Sequence, residues 1–139
     1  MIRKALDGAS RPTHYLAIPP VLFGTVVEQL THLGSAHGAR VVVQRTVHAS
    51  TIDGAVLAGL RPTFVAPEVD AGAGIAHCVL PAALDAALAS TPGVAAAIVV
   101  SPTYHGAVAD VAGLARVAHA RGVPLVVDEA WGAHLAFSR

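Results

Sequence analysis

Residues 40–45 read Arg-Val-Val-Val-Gln-Arg, and this short β-branched run is where the fold becomes readable. An apolar run of this length predicts a buried strand, because a helix needs more residues to cover a core. The same pattern recurs along the chain and predicts strands at 62–66, 95–100 and 123–127, separated by helices at 48–60, 81–90 and 108–121. Strands joined through helices need crossover connections, which makes the sheet mainly parallel. The predicted fold class is therefore α/β.

Residues that typically begin or end helices and strands lie at the boundaries of these predicted elements. Ser50 or Thr51 is placed to cap the first of the helices, and Pro81 suits the first turn of the second because it needs no intrahelical donor there. A glycine-rich loop at 71–74 and a Thr-Pro-Gly stop at 91–93 separate the elements. The first forty residues are less regular, with one helix predicted at 21–34.

Composition bounds the class of protein. The chain has 139 residues, 54% of them hydrophobic and 13% charged, which suffices for one globular core. Nine acidic and nine basic residues cancel, so no net field favours nucleic acid or an anionic membrane. The longest apolar run, Val94–Val100, is far shorter than the roughly 20 residues of a membrane helix. The single cysteine, Cys78, indicates a core residue in a reducing, cytoplasmic setting.

Four common motifs are absent from the sequence. A P-loop would need a glycine-rich turn followed by Lys-Ser or Lys-Thr, and the one lysine, Lys4, has no such context. The Gly-Ala-Gly at 72–74 has His77 where a dinucleotide fingerprint needs its third glycine. No Gly-x-Ser-x-Gly elbow occurs, and the histidines lack the spacing of a zinc site, so no metal is predicted.

The stretch at 125–134, Leu-Val-Val-Asp-Glu-Ala-Trp-Gly-Ala-His, indicates the site. Its strand delivers Asp128 to the carboxyl end of the sheet, where open α/β sheets bind ligands. One interpretation is that Asp128 only caps a helix. The other is that it pairs with the ring nitrogen of pyridoxal phosphate, a cofactor whose ring face also needs a flat side chain, which His48 could supply.

Residues 40–137 resemble part of the large domain of the bacterial ornithine/lysine/arginine decarboxylases, in the aspartate-aminotransferase-like group of pyridoxal phosphate enzymes. Four blocks carry the resemblance: VVVQRTVHAS at 41–50, LAGLRP at 57–62, SPTYHG at 101–106 and DEAWGAH at 128–134. It implies a partial three-layer α/β/α architecture of the pyridoxal-phosphate-dependent transferase type. It also divides the chain into a poorly matching segment at 1–35 and a partial cofactor-binding large domain at 36–139.

The resemblance also implies roles for individual residues. His48 would stack on the cofactor ring, and Asp128 would pair with the ring nitrogen. The other residues it implies are Ala130 against the opposite ring face, Thr103 as a polar contact near the cofactor, and Trp131 and His134 on the substrate side. The substrate of such enzymes is a small basic amino acid, and a homodimer is the expected assembly.

Two features depart from the family pattern. The Schiff-base lysine of the family, which follows the aspartate in a Ser/Thr-His-Lys context, has no counterpart here, so no catalytic residue is predicted. The glycine- and serine-rich phosphate loop of the family, which should precede the first matching strand by one helix, is matched poorly here, and its best candidates are Gly24 and Thr25. The chain is thus expected to be a truncated decarboxylase fragment, inactive alone. The alternatives are a non-catalytic remnant that binds pyridoxal phosphate weakly or only self-associates, and a fragment of a related aminotransferase or lyase of the same fold.

Overall fold

The computed structural model describes residues 38–137, and the helix predicted at 21–34 and the phosphate-loop candidates Gly24 and Thr25 lie outside them. The strands are β1 (Arg40–Gln44), β2 (Arg61–Val65), β3 (Val69–Asp70), β4 (Ile75–Ala76), β5 (Val94–Val100) and β6 (Leu125–Asp128). The helices are α1 (Ala49–Leu57), α2 (Pro81–Ser90) and α3 (Val111–Ala120), followed by a 3-10 helix at Ala133–Phe137.

The four longer strands form one parallel sheet in the order β2-β1-β5-β6. The α/β class and the mainly parallel sheet are therefore confirmed. The inner strand β1 is buried on both faces, as its unbroken valine run predicts, whereas the edge strand β2 is largely exposed. The register pairs Val100 at the end of β5 with Asp128 at the end of β6.

The side chains of the sheet alternate between two apolar clusters. One cluster joins Val42 and Val99 to Leu84 of α2 and Leu114 of α3. The other joins Val41, Val43, Val47 and Val100 to partly buried Ile52 of α1. Because successive strand residues point to opposite faces, helices lie on both sides of the sheet.

Local signals define the ends of α3. Asp110 accepts the backbone N–H of Gly113 at 2.8 Å and caps the helix start. At the other end Gly122 has a φ of 73°, and the next amide, that of Val123, donates back to Ala118 O at 2.9 Å. Glycine tolerates this left-handed conformation, so the chain can turn directly into β6.

The glycine-rich loop predicted at 71–74 is the turn of a small antiparallel hairpin, with β3 paired to β4. Asp70 holds that turn by accepting the amides of Gly72 and Ala73, each at 2.8 Å. Two-residue strands carry too little periodicity to be recognised in a sequence. Within residues 38–137, no helix has the length and the apolar character needed to cross a membrane.

Candidate active site at the carboxyl edge of the sheet

The carboxyl ends of β1, β5 and β6 lie along one edge of the sheet, because these neighbouring strands are parallel. The loop after β1 leads to His48, the loop after β5 contains residues 101–107, and β6 ends at Asp128. The structure therefore brings the two principal predicted residues, His48 and Asp128, to the same edge, with β5 between their strands. Open parallel sheets bind ligands at this edge.

Asp128 is a buried carboxylate, with 8% of its surface exposed. Its Oδ1 atom accepts the backbone N–H of Ala130 at 3.1 Å, while Oδ2 has no hydrogen-bond partner among residues 38–137. Among residues 38–137, Thr51 Oγ1 is the one side-chain polar atom that is both fully enclosed and without a hydrogen-bond partner. Since Asp128 Oδ2 also lacks a partner, it is not fully enclosed, and solvent or a ligand can reach it. No basic side chain of the described region pairs with Asp128. A buried carboxylate with a free oxygen suits a ligand that donates a hydrogen bond.

His48 precedes α1 and acts as its N-cap. Its Nδ1 atom accepts the backbone N–H of Ser50 at 3.1 Å, and Ser50 Oγ lies 2.8 Å from the same nitrogen. The expectation that Ser50 or Thr51 caps this helix was wrong, because the helix begins at Ala49 and the imidazole nitrogen occupies the capping place. The cap fixes one edge of the ring and leaves its faces for other contacts.

An aromatic row runs along the carboxyl edge. The ring centroids of His48 and Tyr104 are 6.3 Å apart, and those of Tyr104 and Trp131 are 5.9 Å apart with an edge-to-face angle of 61°. Tyr104 is 56% and Trp131 60% exposed. Large aromatic side chains left open at a ligand-binding edge offer a surface on which a planar or cationic group can rest.

Sequence reasoning missed Tyr104, although it lies inside the block SPTYHG that carried part of the resemblance. The available signal was its position four residues after the end of a buried strand, equivalent to that of His48 after β1. A second missed residue is Gln44, a polar side chain at the end of an otherwise apolar strand, buried in the structure.

The loop after β5, which carries Tyr104, packs tightly against the segment after β6, which carries Trp131. Ser101 and Pro102 are joined by a cis peptide bond, and the Ser101 backbone N–H donates to Asp128 O at 2.9 Å. The hydroxyl of Ser101 accepts the N–H of Ala109 at 3.0 Å. Gly132 is buried against Pro102, where a Cβ atom would lie 2.8 Å from Pro102 Cδ. These contacts place the loop that carries Trp131 directly on the loop that carries Tyr104.

The remaining predicted residues have different environments. Thr103 is buried, and its Oγ1 atom accepts the N–H of Ala107 at 3.3 Å, so its hydroxyl holds the turn of its own loop. Ala130 and His134 are exposed, and His134 lies on the 3-10 helix after Trp131. In the described part of the chain, no group of three or more His, Cys, Asp or Glu side chains is arranged to hold a metal ion.

Comparison with curated proteins finds similar arginine decarboxylases. That of Halalkalibacterium halodurans is 37% identical over 100 residues, which is 72% of this chain and 20% of the relative. That of Bacillus subtilis is 36% identical over 100 residues, with the same shares. The chain thus spans about a fifth of the length of the curated relatives it matches.

Solved structures show the same fold. A 3-amino-5-hydroxybenzoic acid synthase is similar with a TM-score of 0.56 and 27% identity, over 76% of this chain and 25% of that one. A sphingosine-1-phosphate lyase of Burkholderia pseudomallei has a TM-score of 0.64 at 16% identity, over 86% and 28% of the two chains. The aspartate aminotransferase of Thermus thermophilus has a TM-score of 0.53 at 22% identity, over 91% and 40%. The fold is that of the pyridoxal-phosphate-dependent aminotransferases.

The sequence profile of one family, described as Orn/Lys/Arg decarboxylase, major domain, matches residues 21–139. The match begins within the segment 1–35 that the sequence alone had set apart, and it includes the edge with His48 and Asp128. This chain belongs to the Orn/Lys/Arg decarboxylase major-domain family.

Proposed function

We propose that this chain carries the pyridine-binding edge of a pyridoxal-phosphate-dependent decarboxylase of a basic amino acid. The observation that supports this most directly is Asp128, a buried carboxylate at the carboxyl edge with Oδ2 unpaired among the described residues and with no basic side chain of residues 38–137 beside it. The family to which the chain belongs indicates pyridoxal phosphate as the cofactor, and the environment of Asp128 is consistent with that cofactor.

The residues at the edge fit a pyridine ring. Asp128 Oδ2 would accept a hydrogen bond from the protonated ring nitrogen, which satisfies a carboxylate that is otherwise half paired. His48 would offer a flat face, with one edge of its ring already held by the amide of Ser50. Ala130 is small and exposed, and would leave room for the opposite ring face. Trp131 and His134, both exposed on the following turn, would lie on the substrate side.

When bound, the cofactor supplies an electron-accepting ring for the bond that breaks at the amino acid's Cα. The part of this chain is to keep that ring electron-poor. A negative charge on Asp128 would hold the proton on the ring nitrogen, and the burial of this carboxylate in a region of low dielectric would strengthen the interaction. His48 would cover one face of the ring, with its own orientation fixed by the cap bond to the amide of Ser50.

We infer that the whole protein acts on arginine, since the similar curated proteins named above are arginine decarboxylases. Within these 139 residues the one lysine is Lys4, which lies far in sequence from Asp128 and outside a Ser/Thr-His-Lys context. The chain by itself would then bind the cofactor without covalent attachment at the edge, and it would not release carbon dioxide from arginine.

The test is the dissociation constant of pyridoxal phosphate, followed by absorbance, for the chain with Lys4→Arg as background to remove an adventitious amine. Asp128→Asn in that background should raise the constant tenfold to a hundredfold, as expected for a lost charged hydrogen bond of about 1.5–3 kcal/mol. Asp53→Asn, an exposed carboxylate on α1, is the matched control. Equal constants for the two variants would contradict the proposal.

A further inference from the structure

Gln44 is a buried polar side chain at the end of β1, with 1% of its surface exposed. Its Oε1 atom accepts the backbone N–H of Val100 at 3.3 Å, and its Nε2 atom donates to Thr46 Oγ1 at 2.9 Å. The backbone pairing of β1 with β5 extends only to Val43 and Ile98. The amide of Gln44 therefore continues the connection between these strands beyond the point where their main chains part.

A buried amide is an unusual choice for this place. Burial of a polar group costs free energy unless its hydrogen bonds are made, and an apolar side chain of similar size would fill the same volume. The neighbouring positions of β1 are filled by valines. What the amide adds, and a leucine could not, is a directional link between two particular partners.

Those partners belong to the two halves of the carboxyl edge. Thr46 lies in the short loop between β1 and His48, so a bond to its hydroxyl holds that loop. Val100 is followed by Ser101, whose backbone N–H donates to Asp128 O at 2.9 Å. A continuous path of hydrogen bonds and peptide units thus runs from the loop of His48, through Gln44 and the end of β5, to Asp128.

Within residues 38–137, the other hydrogen bonds of the loop at 45–48 do not reach β5. The N–H of Arg45 donates to Val65 O of β2 at 2.8 Å, and the N–H of Val47 donates to Gln44 O at 3.3 Å. The guanidinium of Arg45 lies over the ring of Phe64, also on β2. Among the described residues, the Gln44 side chain is thus the hydrogen-bonded tie between the loop and β5.

We propose that Gln44 is a positioning residue of the cofactor edge, which sets His48 relative to Asp128 by locking the loop at 45–48 to the end of β5. The positioning role of Gln44 toward the cofactor rests on the proposed function, but the effect of Gln44 on the His48 ring can be measured without the cofactor. Gln44 touches no reacting atom in this scheme and acts through Thr46 and Val100.

The experiment records the ¹H and ¹⁵N resonances of the His48 ring in the full chain, identified by their loss in His48→Asn. Gln44→Leu removes both side-chain bonds, and Thr46→Val removes one of them with little change of shape. Two controls separate positioning from general weakening: Thr63→Val makes the same exchange on β2, and Leu88→Ala destabilises the core on the α2 side of the sheet.

We expect Gln44→Leu and Thr46→Val to shift and broaden the His48 resonances, with the larger effect in Gln44→Leu and none in either control. The dissociation constant of pyridoxal phosphate should rise about tenfold in Gln44→Leu and about threefold in Thr46→Val, in proportion to the bonds removed. Thr46→Val keeps the test decisive if Gln44→Leu does not fold.

Unchanged His48 resonances in Thr46→Val, or an equal shift in Leu88→Ala, would overturn the positioning role. Failure of the proposed function gives a different result. In that case Asp128→Asn leaves cofactor binding unaffected, while the His48 resonances still decide the part played by Gln44.

Discussion

His48 accepts the backbone N–H of Ser50 on its Nδ1 atom at 3.1 Å, in the place that a serine or aspartate usually fills at a helix start. Because an amide N–H can only donate, Nδ1 carries no proton in this arrangement, and the ring holds its proton on Nε2. The hydroxyl of Ser50, 2.8 Å away, can donate to the same nitrogen. Two donors therefore hold one edge of the His48 ring, and its faces stay open to other contacts.

Replacement of His48 should therefore affect stability as well as the site. His48→Ala removes the N-cap of α1 and should lower the free energy of unfolding by about 1 kcal/mol, whereas His48→Asn should retain most of it. Denaturant unfolding followed by circular dichroism measures both. His105→Ala, an exposed loop histidine, serves as the control. An equal loss in His48→Ala and His105→Ala would show that the cap contributes nothing.

Gly132 should tolerate no side chain. In Gly132→Ala the new Cβ would lie 2.8 Å from Pro102 Cδ and 3.4 Å from Ser101 O, so the loop carrying Trp131 must move. We expect a loss of roughly 1–3 kcal/mol in unfolding free energy and a changed emission spectrum of Trp131, the one tryptophan. Ala133→Ser adds one heavy atom at an exposed neighbouring position and should change neither.

Leu114 anchors α3 to the sheet, with 0% of its surface exposed. Leu114→Ala leaves a cavity between α3 and the strands and should lower the free energy of unfolding by about 2–5 kcal/mol. Leu57→Ala, on the exposed side of α1, should change it by less than about 0.5 kcal/mol. Chemical denaturation measures the unfolding free energy of both variants. A loss in Leu114→Ala no larger than that in Leu57→Ala would show that Leu114 does not anchor α3.

Asp70 should titrate below its usual range. Hydrogen bonds from the backbone amides of Ala73 and Gly72 lower the pKa of its carboxyl from 3.8, with a smaller contribution from His77. A folded-state pKa below the unfolded value means that this carboxylate stabilises the hairpin turn above the unfolded pKa, and that the stabilisation is lost as pH falls through the folded pKa.

The carboxyl ¹³C shift of Asp70, followed against pH, measures this midpoint directly. The amides of Gly72 and Ala73 should show the same transition. Asp70→Asn should abolish the transition in those two amides. A midpoint at or above 3.8 would contradict the assignment of these hydrogen bonds.

Cys78 should react slowly in the native protein. The thiol is buried, burial raises its pKa, and its Sγ atom lies 3.3 Å from Ala107 O, to which it donates. Since the thiolate is the reactive form, a disulfide reagent should modify the folded chain many times more slowly than the chain in denaturant. Equal rates in the two conditions would show that the thiol is accessible.

The sequence by itself determined the fold class, and the physical reason lies in periodicity. Apolar runs such as Val-Val-Val at 41–43 and Leu-Val-Val at 125–127 are too short for helices and too apolar for loops, and the helices between them enforce parallel strands. The buried position of Cys78 was predicted correctly as well. Asp128 and His48 could be singled out because each follows such a strand, and strand ends in a parallel sheet meet at one edge. Their roles toward the cofactor stay predictions.

Tertiary structure alone decided which side chains meet there. Tyr104, Trp131 and His48 come from three loops separated by tens of residues, and their contact depends on the strand order β1-β5-β6, which local patterns do not encode. The same holds for Gln44, whose amide reaches a backbone N–H 56 positions away. Hydrophobic periodicity reports which face of an element is buried, but a contact across the sheet exists only once the register between distant strands has formed.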